Sequence, residues 1–131
     1  MNRPAHYEND VLFFFDGRPL ELSLYEALFR RLDAEFPDAS VKVQKSQISF
    51  CGRHLFGAVS LPVRRKKDWP ERCLVVTIGL SYPLNSPRVA VAVEPYPNRW
   101  TYHILIAEEG QIDDELLGWL REAYTFAESK R

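Results

Sequence analysis

From Leu22 onward the apolar residues fall at Leu24, Tyr25, Leu28, Phe29, Leu32 and Phe36. These three- and four-residue steps describe one stripe of an α-helix, which Pro37 ends. Upstream, "ENDVLFFFDGRP" is apolar and short, and it stops at Gly17 and Pro19. It predicts a short helix in which Asn9 or Asp10 supplies the cap. The next seventy residues change period: they alternate or run apolar and are rich in β-branched side chains. Strands are predicted over 41–45, 47–51, 54–61, 73–80, 88–94 and 100–107. Gly52–Arg53 fits a two-residue hairpin turn with glycine first. Pro62 and Pro70 bracket one long connection, and "YPLNSP" and "PYPN" interrupt the later strands.

The last periodic stretch, "IDDELLGWLREAYTFAESK", predicts a closing helix with Leu116, Leu117, Leu120, Tyr124 and Ala127 on its buried side. Asp113, Asp114 and Glu115 at its start and Lys130 and Arg131 at its end suit the helix dipole. Tight turns between successive strands favour antiparallel pairing. The expected fold is therefore α+β: a five- or six-stranded, mainly antiparallel sheet with the N-terminal and C-terminal helices packed on one face.

Strand parity divides the sheet. One face collects Val41, Val43, Ile48, Phe50, Leu74, Val76, Ile78, Leu80, Val89, Val91, Val93, Trp100, Tyr102, Ile104 and Ile106, which calls for a cover of helices. The other collects Ser49, Cys51, Cys73, Val75, Thr77, Gly79, Ala90, Ala92, Thr101 and His103, all small or mildly polar except the histidine. A wet face of an antiparallel sheet accounts for this pattern, and so does a surface that a partner approaches closely.

Length and charge then narrow the picture. A chain of 131 residues with 46% hydrophobic and 27% charged residues suits a single globular domain. The longest apolar run, "CLVVTIGL", is far short of the ~20 residues that span a bilayer. The opening residues lack the apolar core of a signal peptide, so a cytoplasmic protein with reduced thiols and no membrane partner is expected. The net charge of −1 hides a partition. Residues 41–103 hold ten Lys/Arg against three acids, +7; residues 1–40 hold four against eight, −4; residues 104–131 hold three against seven, −4. A basic middle separates two acidic ends.

Four phrases taken together carry a family resemblance: "KSQISF" (45–50), "LNSPRV" (84–89), "NRWTYHILI" (98–106) and "IDDELLGWLREAYTFA" (112–127). Their order and spacing resemble the bacterial family filed as domain of unknown function 5655, over roughly residues 12–128. There a Lys–Ser/Thr strand opens the sheet, an Arg–Trp–Thr–x–His strand closes it, and a helix ending in Ala–Tyr follows. The resemblance implies the fold and no established activity; it also implies a small module, found alone or at the end of larger proteins, in some cases associated with nucleic-acid transactions. In this chain the loop at 62–72 is longer and more basic than the family pattern, and Tyr102 stands where a further histidine is common.

Candidate chemistry centres on binding. Arg64, Arg65, Lys66 and Lys67 beside Trp69 combine cations for phosphates with a ring for stacking, although a hairpin edge guarded by charge gives the same sequence. Lys42, Lys45, Arg53, Arg88 and Arg99 extend the basic patch, and His103 is the best single polar contact on the small-residue face. Cys51, His54, Cys73 and His103 have the residue types of a zinc set but not the paired-knuckle spacing, so no metal or cofactor is expected. Nothing identifies an oxyanion hole or an orienting acid, and no catalytic residue is expected. The expected function is non-catalytic binding of an anion, a nucleic acid or an acidic protein through His103, Lys45, Arg53, Arg64, Arg65, Lys66, Lys67, Trp69, Arg88 and Arg99. A small-molecule pocket on the same face with the basic loop as its lid, and a homodimeric interaction module, are the alternatives.

Overall fold

The structure is a computed structural model that describes residues 1–63 and 66–130. Helices α1 (Tyr7–Phe14) and α2 (Pro19–Glu35) lead into strands β1 (Ser40–Val43), β2 (Ile48–Cys51), β3 (Leu55–Ser60), β4 (Leu74–Leu80), β5 (Val89–Tyr96) and β6 (Arg99–Ile106). A 3-10 turn over Glu109–Gln111 precedes the closing helix α3 (Asp114–Glu128). The strands form one sheet in the order β1-β2-β3-β4-β6-β5, antiparallel at every pairing. The α+β architecture with terminal helices on a six-stranded sheet is the one the alternation predicts.

Local chemistry explains the element ends. Pro19 opens α2 at a position where a missing N–H costs nothing, so the helix starts five residues ahead of Leu24, the first residue of its apolar stripe. Asp113 caps α3: its carboxylate accepts from the Leu116 N–H at 3.0 Å. The cap expected of Asn9 or Asp10 is corrected. His6, in the left-handed region at φ 63°, precedes α1, and both candidates lie inside the helix. The β2–β3 connection is also longer than expected, three residues (52–54) closed by Gly52 N–H donating to His54 O.

The core lies between the helices and one face of the sheet. Leu28, Leu32, Ile48, Phe50, Ile78, Ile104, Leu116 and Leu120 are buried there. Gly57 of β3 sits directly under α3: a Cβ at that position would come within 3.1 Å of a Leu120 methyl. Phe36 stacks on Tyr124, and Phe56 of β3 packs edge-on to Tyr124 and tilted to Phe36, where the end of α2 meets α3. Burial of the α2 and α3 stripes is what holds these helices, since roughly 25 cal/mol per Å² of apolar surface outweighs their weak intrinsic preferences.

Strand order imposes one unusual passage. β4 and β5 run the same way with β6 between them, so residues 81–88 must recross the sheet. They do so on the helix side, anchored by Tyr102 of β6. Its hydroxyl donates to Tyr82 O at 2.7 Å and accepts from Leu84 N–H at 2.5 Å. Tyr102 is 1% exposed and stacks on Trp100. This phenol pins the crossover to β6.

Candidate binding face

Register fixes which side chains share the face away from the helices. Thr77 of β4 lies opposite His103 of β6, Gly79 opposite Thr101, and Val75 opposite Leu105. Ala58 of β3 continues the Thr77 row, and Ser49 and Lys42 extend it across β2 and β1. On this side Thr77, Gly79, Thr101, His103 and Leu105 are half-buried, while Lys42, Leu55 and Val93 are exposed. Ser49, Ala58, Cys73 and Val75 are buried, so the accessible part of the face lies over β4, β6 and β5.

The β5 part of the parity prediction is corrected. Val91 lies opposite His103 and Val93 opposite Thr101, which puts both valines on the uncovered face, and Ala92 lies opposite Tyr102 on the other. The register shift between Val89 and Val91 adds one residue and reverses the pleat beyond it. Val89, before the shift, keeps the predicted side opposite Ile104.

His103 is held by a hydrogen bond between its Nδ1 and Thr77 Oγ1 at 2.8 Å. Burial pushes its pKa below the usual histidine value, so the ring is neutral at pH 7 and serves as a hydrogen-bonding group rather than a charge. A second polar set stands nearby: Gln47 Nε2 donates to Ser49 Oγ at 2.8 Å, and Ser49 Oγ donates to Gln44 Oε1 at 2.6 Å. Between them is a shallow depression of about 160 Å³ lined by Gln47, Leu55, Ala58, Thr77, Gly79 and Thr101, among others.

The predicted cations divide into three groups. Lys45 lies in the β1–β2 turn, and Lys66, Lys67 and the half-buried Trp69 lie in the β3–β4 loop; in this antiparallel sheet those connections share one end. Arg53 lies in the β2–β3 connection and Arg99 at the β5–β6 turn, both at the opposite end. A strand of six or seven residues separates the ends by about 20 Å. Arg64 and Arg65 lie outside the described residues.

Arg88 belongs to neither end group, because its guanidinium is engaged by the start of α3. Its Nη1 donates to Asp113 Oδ1 at 2.8 Å and to Glu115 Oε1 at 3.1 Å, and its Nη2 to the Gln111 carbonyl at 2.6 Å. The guanidinium also lies over the Trp119 ring at 5.6 Å. It locks the end of the crossover to the start of α3. The same contrast holds more widely. The helical arginines Arg30, Arg31 and Arg121 each pair with a carboxylate, as does Arg72 with the buried Glu21. Lys42, Lys45, Arg53, Lys66, Lys67 and Arg99 form no ion pair among the described residues.

The residue types of a zinc set do not converge. Cys51 ends β2 and Cys73 precedes β4, at opposite ends of the sheet, and His54 Nε2 lies 3.2 Å from the Lys130 carbonyl. Among the described residues no group of three or more His, Cys, Asp or Glu side chains is placed to hold a metal ion. Burial raises the pKa of the Cys51 thiol.

A family model described as a domain of unknown function, DUF5655, matches residues 14–127. The chain belongs to that family. Within this DUF5655 domain the matched span runs from the end of α1 nearly to the end of α3, so it takes in the whole sheet and the uncovered face. No curated protein and no solved structure matches the chain. No helix of the described residues is long and apolar enough to cross a membrane.

Sequence reasoning missed Gln44 and Gln47, whose bonds to Ser49 depend on the β1–β2 turn bringing both ends of "QKSQIS" back over the sheet. It also missed Val91 and Val93 on the uncovered side, because "VAVAV" is apolar on both parities and alternation cannot fix its register.

Proposed function

We propose that the domain is a non-catalytic binding module that takes an extended polyanion along its uncovered sheet face. The observation that carries this reading is the distribution of unpaired cations. Of six cations without a carboxylate partner among the described residues, five stand at the two ends of the sheet, with the half-buried Thr77–His103 surface between them, and Lys42 lies on β1 in the Thr77 row. An extended chain of phosphates or carboxylates laid along the strands meets cations at both ends. Thr77, Thr101 and the neutral His103 supply hydrogen bonds in the middle.

The size of the depression weighs against a small-molecule site. About 160 Å³ falls below the roughly 300–1,000 Å³ that encloses a drug-sized ligand. Tyr96 of β5 lies opposite Arg99 and so on the side of Thr101 and His103, where its exposed ring is available for stacking beside the cations at that end. A nucleic-acid strand is the first ligand to test.

Fluorescence anisotropy with a labelled single-stranded oligonucleotide provides the test. If four of the cations engage phosphates, the slope of log K against log salt is about −2.8. Affinity then drops roughly fifty-fold between 50 and 200 mM salt. The combined variant K42A/K45A/R53A/R99A, changed only at exposed positions, should lose most of the binding and the slope together. Absence of binding, or binding indifferent to salt and to these substitutions, overturns the nucleic-acid reading. Tighter salt-dependent binding of polyglutamate would assign the face to an acidic protein instead.

A further inference from the structure

Of the two outer strands of the sheet, one is already closed. Asn2 forms a parallel bridge to Ser40; Val41 N–H donates to Asn2 O at 3.0 Å, and Asn2 N–H donates to Ala39 O at 2.8 Å. β5 has β6 on one side only, and no strand among the described residues pairs with its outer edge. Exposed edges are commonly guarded by lysines, by inward-pointing charge, by proline, by bulges or by extreme shortness, and of these β5 has its two register shifts and Pro95. β5 is eight residues long, and residues 89–93 read Val-Ala-Val-Ala-Val without a charge; Glu94 and Pro95 come only at its far end. Val93 is 48% exposed and Tyr96 67% exposed.

We propose that β5 pairs antiparallel with β5 of a second copy of the chain, joining two six-stranded sheets edge to edge about a two-fold axis. Symmetry selects this occupant. In such a pairing the same segment faces itself, so any charge near the centre would meet its own kind; an all-apolar Val/Ala centre has no such repulsion. A polyanion gains nothing from an uncharged strand, which separates this edge from the cationic ends of the sheet. Each chain has one unpaired edge, and pairing consumes it, so assembly closes at two copies instead of growing into a fibre. The register shifts at Val89/Val91 and Val93/Tyr96 limit the regular ladder to a few residues. The buried area therefore falls below the ~800 Å² per partner of a standard interface, and the dimer is weak and reversible. Joining the sheets makes the two uncovered faces continuous and doubles the number of His103 sites on one surface.

Sedimentation velocity at 5 and 500 µM tests the pairing, with the double variant A92K/V93K alongside. Both substituted positions are exposed, and circular dichroism checks that the fold is kept. The expected result is a shift of the natural chain toward twice the monomer mass at the higher concentration, abolished by the two lysines. A monomer at both concentrations overturns the proposal. So does a dimer that tolerates the lysines but is lost on Phe13→Asp at the exposed end of α1. If the lysine variant fails to fold, amide exchange in the natural chain decides. Protection of residues 89–94 must rise with concentration, and its constancy rejects the pairing.

Discussion

Replacing Arg88 by alanine is expected to lower the stability of the domain by about 2–3 kcal/mol while leaving oligonucleotide affinity unchanged. The loss follows from what the guanidinium holds. It satisfies Asp113, Glu115 and the Gln111 carbonyl and covers the Trp119 ring, with only 20% of its side chain exposed. Removing one partner of a buried pair costs about 3–5 kcal/mol, and the partial exposure of the two carboxylates reduces that figure. Thermal unfolding should shift down by roughly 10 °C for a chain of this size. Acid sensitivity should change as well. Burial raises the Asp113 pKa, but its bonds from the Leu116 N–H and Arg88 outweigh this and leave it below the usual carboxylate value. A carboxyl with a lowered folded pKa contributes stability above its unfolded value, near pH 4, and that contribution disappears as pH falls through the folded value. Without Arg88 much of that contribution is gone, so the variant should show a shallower loss of stability below pH 4. A fall in oligonucleotide affinity with unchanged stability would instead return Arg88 to the binding surface.

Tyr102→Phe is expected to cost about 3 kcal/mol, although it deletes a single oxygen. That oxygen answers two backbone groups of the crossover, the Tyr82 carbonyl and the Leu84 N–H. Each group left unsatisfied out of water costs about 1–3 kcal/mol, more than the ~1 kcal/mol net value of an ordinary hydrogen bond. Denaturant unfolding gives the size of the loss, and amide exchange gives its location. Leu84 and the neighbouring amides of residues 81–88 should lose protection before those of β3 and β4. Uniform loss across the sheet, or a cost below about 0.5 kcal/mol, would show that the crossover does not depend on the phenol.

Much of this fold is written in period and parity. The helical stripe from Leu24 to Phe36 and the strand runs emerge from side-chain spacing alone, because each buries one side and the choice of side is energetically steep. The features that escape are those in which spacing carries no preference. The extra residue between Val89 and Val91 turns a run that is apolar throughout, so either register buries similar side chains and only pairing with β6 decides. Arg88 looks in sequence like one more cation of the basic segment. Its capture by Asp113 and Glu115 depends on a crossover linking residues 25 and 27 positions apart. The candidate face shows the same division. Thr77, Gly79, Thr101 and His103 follow from β4 and β6 alternation, whereas the separation of the cations into two ends follows from strand directions that a charge count does not contain.

The account rests on the uncovered sheet face being the surface that a polyanion touches, and mapping backbone amide shifts during titration with a single-stranded oligonucleotide tests this most directly. The predicted result is a set of perturbed amides around Thr77, Thr101 and His103 that extends along the same row to Lys42, and to Lys45 at one end and Arg53 and Arg99 at the other, with α1 and α2 unaffected. Perturbations gathered on the helices, or a spectrum unchanged at saturating oligonucleotide and low salt, would contradict it.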